Sequence, residues 1–276
     1  MLLAAKHIFV NNAFRKTLLA YISIENLSLV YSPRRRKDVV ALTDFNLEVE
    51  KGLFLSLVGP SGCGKSTLLR IISGLMQPSS GRVLLSGRKV VGPGHDRAMV
   101  FQEFALMPWR TVMRNVEMGL EFRGVPTDER RKIAARHVEL VGLNGFEDHF
   151  PHELSGGMRQ RVGLARALAV DPDILLMDEP FAAVDSQTRD LMQTELLRIW
   201  EERRKTVIFV THSIEEAVFL SDKVAMLSAR PAKVVDIVDI DLPRPREYEI
   251  RMDPRFAKIR LDIWQRLKDE FLKSRE

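Results

Sequence analysis

The sequence predicts an α/β fold: a mainly parallel sheet with flanking helices, a small antiparallel β subdomain beside it, and an α-helical subdomain inserted at about residues 104–170. Three observations predict it. Apolar runs at 54–58, 174–177, 207–210 and 224–227 have the length and composition of strands buried on both faces. Helical stretches separate most of these runs, and strands alternating with helices imply parallel neighbours. Between 111 and 170, by contrast, three helical segments follow one another without a strand signal.

Residues 1–21 show no clear period and read as an N-terminal extension. Lys6 and His7 interrupt its brief apolar start and no small-residue cleavage site follows, so no secretory signal is expected. Tyr21–Tyr31 and Val39–Val49 alternate apolar and polar residues as strands do. The basic cluster Arg34-Arg35-Arg36-Lys37 between them reads as a solvated loop. Phe54–Val58 is a short apolar run of strand length, followed by a helix over Ser66–Leu75 with Gly74 as its stop signal. Ser86-Gly87, between Val83–Leu85 and Lys89–Val91, marks a tight hairpin. Arg97–Gln102 is a further strand leading into a loop. Thr111–Arg123 and Thr127–Val141 have helical spacing; Asp128 and Glu129 occupy the first turn of the second, where the helix dipole favours acids. Ser155–Val170 is the third helix, closed by Asp171-Pro172. Then come a strand at Ile174–Met177, a helix at Ser186–Arg204, a strand at Val207–Val210 and a helix at Ile214–Leu220. Val224–Leu227 and Val234–Ile240 are late strands. Pro243 and Pro245 mark a linker and Pro254–Leu272 regains helical periodicity, so 241–276 is expected to be a C-terminal linker and helix behind a body at 22–240.

Composition narrows the function classes. Of 276 residues 45% are hydrophobic and 29% charged, ordinary for a globular protein with an ample core. No apolar run approaches the roughly 18 residues that cross a bilayer, so work at a membrane would need other subunits to span it. The net charge of +5 is mildly basic, and apart from residues 34–37 the basic side chains are spread along the chain. The single cysteine, Cys63, excludes an internal disulfide and fits a reducing compartment.

The chemistry begins at Gly59-Pro60-Ser61-Gly62-Cys63-Gly64-Lys65-Ser66-Thr67, which matches the phosphate-binding pattern G-x-x-x-x-G-K-[ST] between a strand and a helix. Glycines let the backbone take positive φ and turn its N–H groups onto phosphate oxygens, and the helix dipole adds to that field. Lys65 supplies a point charge to the β- and γ-phosphates, and the Ser66 hydroxyl is placed to ligate Mg²⁺. Such a loop binds a nucleoside triphosphate, and alkylating the Cys63 thiol within it is expected to hinder that binding. Asp178 and Glu179 directly follow the strand Ile174–Met177. A carboxylate there can hold Mg²⁺ directly or through water, while the second is free to orient a water on the γ-phosphate and take its proton. General-base help of that kind is worth about 10²–10⁴ in rate. Finally, Leu154–Arg161 reads LSGGMRQR and sets Ser155, Gly156 and Gly157 at a helix start, a second phosphate site. Two such helix starts with one loop lysine imply that the second serves another subunit's nucleotide.

Together, GPSGCGKST, LSGGMRQR, ILLMDEP and the later VTHS resemble the ATP-binding subunit of an ABC transporter, over about residues 22–240 and in family order. The resemblance implies a P-loop NTPase core using ATP and Mg²⁺. It gives Tyr31 the stacking position on adenine, a contact worth about 1–3 kcal/mol. It makes Gln102 the glutamine that reaches Mg²⁺ and the attacking water, Asp185 a dimer-interface aspartate, and His212 the histidine on the γ-phosphate. Catalysis then falls to Glu179, His212, Gln102 and Lys65, and the metal to Ser66, Gln102 and Asp178. Also implied is a head-to-tail dimer with a second copy or a related ATPase subunit. Each ATP in it lies between the 59–67 loop of one subunit and Ser155–Gly157 of the other. Transmembrane permease subunits would dock near Gln102 and the helical insertion, and a solute-binding protein would take part indirectly. The subunit would sit peripherally on the cytoplasmic face of the membrane, with no nucleic acid as partner.

Phe101–Trp109, FQEFALMPW, resembles the FQEPALLPW of nitrate/sulfonate/taurine-type importers, with Phe104 in place of the proline. Ser228-Ala229-Arg230-Pro231 points to the same group, whereas Ala182 and Val184 depart from the commoner glycine and leucine. The expected function is therefore the ATPase of an importer for nitrate, sulfonates, taurine or bicarbonate. The alternative, a soluble ABC-type ATPase acting on nucleic acid or ribosomes, usually carries a long coiled coil or two ATPase domains per chain, and this sequence shows neither. A phosphoryl-transferring kinase would leave LSGGMRQR unexplained.

Overall fold

The computed structural model describes residues 20–32, 38–182 and 184–273. The N-terminal extension, apart from its last two residues, and the cluster 34–37 lie outside these. Two sheets frame the body. The strands β1 (Ala20–Tyr31), β2 (Val39–Glu50), β4 (Ser80–Leu85) and β5 (Arg88–Lys89) form the antiparallel sheet, in the order β2-β1-β4-β5. The second sheet contains β3 (Phe54–Val58), β6 (Arg97–Val100), β7 (Ile174–Asp178), β8 (Thr206–Val210), β9 (Lys223–Leu227) and β10 (Val234–Asp239). Its order is β10-β9-β3-β8-β7-β6, all parallel except the antiparallel edge strand β10. The first strand starts at Ala20, so the body begins inside the stretch read as extension.

The central strands are apolar on both faces because both faces are covered. Leu55, Leu57, Leu176, Ile208 and Val210 face a core shared with the antiparallel sheet and with α1 (Lys65–Ser73). Their alternates Phe54, Val58, Leu175, Met177, Val207 and Phe209 face the opposite core. That second core is closed by α4 (Gly156–Ala169), α5 (Ser186–Arg203) and α6 (Ile214–Leu220). Period-two alternation thus serves two cores at once, each fully buried large side chain contributing about 1.5–3 kcal/mol. The insertion consists of α2 (Val112–Phe122), α3 (Thr127–Leu140) and α4, packed on one another. Side-chain caps start four helices: Thr111 accepts from the Arg114 N–H, Ser155 from Met158, Asp185 from Thr188 and Ser213 from Glu216.

The stretch read as a linker is instead strapped to the body. Leu242 and Arg246 are buried. Arg244 pairs with Asp222 and Glu201 and stacks on Trp200, whose other cationic neighbour is Arg204, at 4.3 and 4.5 Å from the ring centroid. A short 3-10 turn at Tyr248–Met252 follows, then α7 (Pro254–Lys273), which seats Phe256 and Ile263 in the core. The prolines stop secondary structure without freeing the chain, because arginines and apolar side chains pin it down. Among the described residues no helix is long and apolar enough to cross a membrane.

Candidate functional site

The site lies at the carboxyl ends of the parallel strands, where ligands of such sheets bind. The 59–67 loop leaves β3 and enters α1. Gly62 and Gly64 hold φ of 73° and 125°, which only glycine adopts without strain, and a Cβ on Gly59 would lie 2.9 Å from the Leu227 carbonyl oxygen. The Cys63 N–H donates to the Pro60 carbonyl at 3.3 Å, which leaves Ser61 and Gly62 exposed at the tip of the turn. The Lys65 ammonium curls back over the loop, donating to the carbonyls of Gly59 at 2.7 Å and Pro60 at 3.0 Å. Tyr31, at the end of β1, reaches the same helix start: its hydroxyl is 3.0 Å from Thr67 Oγ1.

Strand register assembles the rest. Val100, Met177 and Phe209 are level across β6, β7 and β8. The loops leaving these strands therefore bring Gln102, Glu179 and His212 together. Glu179 Oε2 is 3.3 Å from both Gln102 Nε2 and His212 Nδ1. Glu179 itself sits at φ 46°, a conformation costly for a non-glycine residue, held by its N–H donating to the Val210 carbonyl. One residue earlier, the buried Asp178 carboxylate accepts from the Ser66 hydroxyl at 2.9 Å. Burial raises the Asp178 carboxyl above its ordinary range; the Ser66 hydrogen bond opposes this and the neighbouring Glu179 charge adds to it.

Cys63 departs from the sequence expectation. Its side chain turns into the apolar layer beneath the loop and is only 1% exposed. Burial pushes the thiol's pKa up, against the pull of Lys65, so the group is both inaccessible and weakly nucleophilic. Cys63 contributes main chain to the loop, and its sulfur is buried beneath it.

Ser155, Gly156, Gly157 and Asp185 are brought together elsewhere. They line a separate cavity of about 450 Å³ with Met158, Arg161 and Thr188, and no residue of the 59–67 loop borders it. The Asp185 carboxyl is held low by the Thr188 N–H at the start of α5. Sequence reasoning missed Arg230, whose guanidinium donates to the Gly62 carbonyl and ties the loop after β9 to the phosphate loop. Its only signal was membership of the Ser228–Pro231 stretch. It also missed the buried Glu216, which accepts a 2.5 Å bond from Thr211 beside His212.

A family model described as ABC transporter matches residues 42–182. The chain is 54% identical to an uncharacterized ABC transporter ATP-binding protein of Methanocaldococcus jannaschii, over 94% of this chain and 96% of the relative. It is 47% identical to a taurine import ATP-binding protein of Rhizobium johnstonii, over 88% of this chain and 94% of the relative. Against a nitrate import ATP-binding protein of Synechocystis sp. the identity is 45%, over 86% and 91%. A bacterial ABC transporter cassette solved as a dimer superposes with a TM-score of 0.73 at 34% identity, covering 80% of this chain and all of that one. A post-hydrolysis structure of the same cassette, bound to ADP and Pi, gives the same values. With relatives matched along nearly their whole length, this chain belongs to the ATP-binding proteins of the ABC transporter family.

Proposed function

We propose that this chain is the ATP-hydrolysing subunit of an ABC importer. ATP closes a dimer, hydrolysis releases it, and the motion drives uptake of a small anion through separate membrane-spanning subunits. The observation that carries the reading is the Glu179 carboxylate, within 3.3 Å of both Gln102 and His212 and adjacent in sequence to the Asp178–Ser66 pair. Glu179 takes the proton of the attacking water, His212 and Lys65 bind the phosphates, and Gln102 orients the water. Tyr31 stacks on the base, and residues 59–67 cradle the phosphates with main-chain N–H groups. Ser66, Asp178 and Gln102 would hold Mg²⁺, since a hydroxyl, a carboxylate and an amide oxygen are the hard donors it prefers. Mg²⁺ is ordinarily held by one or two carboxylates with substrate phosphates, so the lack of a larger acidic or histidine cluster among the described residues fits. When bound, it neutralises charge between the phosphates.

Residues 22–240 are the ATPase body, with the insertion at about 104–170 turned to the permease. Ser155, Gly156, Gly157 and Asp185 act on the partner's ATP. Their separation from the 59–67 loop within one chain supports this, as does the dimeric form of the similar cassette. The names of the taurine and nitrate import relatives support a small anion of the nitrate, sulfonate, taurine or bicarbonate class. A solute-binding protein takes part indirectly, and the subunit sits on the cytoplasmic face of the membrane. The test is Glu179→Gln with MgATP. Gel filtration should give a persistent dimer that retains ATP, with turnover lower by roughly 10²–10⁴. A variant that stays monomeric overturns the reading.

A further inference from the structure

The C-terminal segment grips α6 at both ends. At the carboxyl end, the Arg246 guanidinium donates to the carbonyls of Val218, Phe219 and Ser221. Nearer the amino end, Arg251 pairs with Glu215 at 3.1 Å and Asp190 at 2.9 Å and lies over the Phe219 ring at 4.5 Å. Its second nitrogen donates to Gln193 Oε1 at 2.6 Å, and Gln193 Nε2 in turn donates to Glu216 Oε1 at 3.1 Å. The other oxygen of Glu216 accepts from the Thr211 hydroxyl, which itself accepts from the Ser213 N–H at 2.9 Å. Thr211 and Ser213 flank His212. Gln193 and Thr211 are each 1% exposed and Glu216 is 9% exposed, so these bonds are made in a largely dry setting.

We propose that Arg251 and Glu216 are positioning residues for His212, and that the C-terminal segment braces the loop carrying that histidine. The amide of Gln193 has one end that donates and one that accepts. Arg251 fixes the oxygen end toward itself, which leaves the N–H end for Glu216. Without that guanidinium nothing holds the oxygen end in place, and the amide is free to swing its N–H away from Glu216. Glu216 then loses a donor, and its hold on Thr211 shifts. Glu216 Oε1 also lies 3.9 Å from Arg189 Nε, and Arg189 donates to the Val184 carbonyl, so the same carboxylate touches the supports of the loop before α5. The catalytic consequence rests on the reading that His212 contacts the γ-phosphate; the brace itself does not.

The test uses the full chain carrying Arg251→Met, which keeps an apolar stem against Phe219 and loses the donors. Turnover should fall about tenfold, as expected for a slightly misplaced reacting group, with KM for ATP within about twofold of wild type. The His212 imidazole NMR signals should move, and Arg251→Lys should restore part of both. In His212→Ala the Arg251→Met change should have no further effect on turnover. Gln193→Leu, which leaves the other Arg251 ion pairs intact, should reproduce the loss if Arg251→Met fails to fold. Unmoved His212 signals in a folded Arg251→Met or Gln193→Leu protein overturn the brace, whatever the turnover. Moved signals with unchanged turnover uphold the brace and refute the catalytic role of His212 instead.

Discussion

Replacing Arg246 by methionine removes a guanidinium that is 3% exposed and donates to five backbone carbonyls: Val218, Phe219, Ser221, Ile240 and Leu242. The three shortest bonds, 2.7–3.1 Å, meet the carbonyls that close α6, which have no partner within the helix. Hydrogen bonds to a charged group contribute about 1.5–3 kcal/mol each. These share one donor group, and they offset the cost of burying its charge. Burial, then the nearby Arg244, holds the Arg246 pKa down to about 10. It therefore stays protonated at neutral pH. Exchanging a buried ion pair for apolar groups can be neutral because both partners leave. Here the acceptors are main chain and remain behind: the Ile240 carbonyl keeps the Leu242 N–H, but the carbonyls that close α6 lose their donor. A net loss of about 3 kcal/mol is expected, or roughly 6–12 °C in melting temperature for a chain of this size. Urea denaturation followed by circular dichroism measures it, and Arg246→Lys, with three donors, should fall between. A loss below about 1 kcal/mol for Arg246→Met would show that the carbonyls find water and that the strap is not what closes α6.

Asp178→Asn tests the buried carboxylate. Because its folded pKa is raised, the stability it contributes is present below the unfolded value of about 4 and is lost as pH rises through the folded value. Nucleotide-free Asp178→Asn should therefore melt above wild type at pH 7 and converge with it in acid, while turnover falls by roughly a hundredfold or more as metal-assisted charge stabilisation is withdrawn. A variant less stable than wild type at neutral pH contradicts this. Cys63 should resist an aromatic disulfide reagent in the native protein and react once urea unfolds the chain; rapid native labelling would show that the loop opens. Ser155→Arg should lose turnover while each monomer still binds ATP. Normal turnover would exclude sharing of the site across subunits.

Much of this could be read from the residues. Apolar runs such as Phe54–Val58 and Val207–Val210 announce strands covered on both faces, and Thr111, Ser155 and Asp185 announce helix starts. The 59–67 loop, Asp178 and Glu179 stand at strand ends, so their chemistry follows from local spacing. Sidedness and non-local contact are less visible. Cys63 sits in a loop whose neighbours point out, and nothing local says that its own side chain turns in. Ser80–Arg82 extend β4 although they are exposed, so apolar content marks only the end of that strand. Arg246 follows two prolines, a local signature of a linker, and its role depends on carbonyls more than twenty residues away. Arg230 and Glu216 are hidden for the same reason.

Trp200 has a practical use. Its indole is buried between two guanidinium groups, one of them on the C-terminal strap, and its N–H is fixed on the Lys205 carbonyl. Indole emission follows the local electric field, so lifting the strap removes one of these cations and shifts the colour of the fluorescence. Trp109 and Trp264 are exposed and contribute a red-edge background that an added quencher can suppress. The chain therefore carries an intrinsic optical gauge of strap docking that needs no attached label.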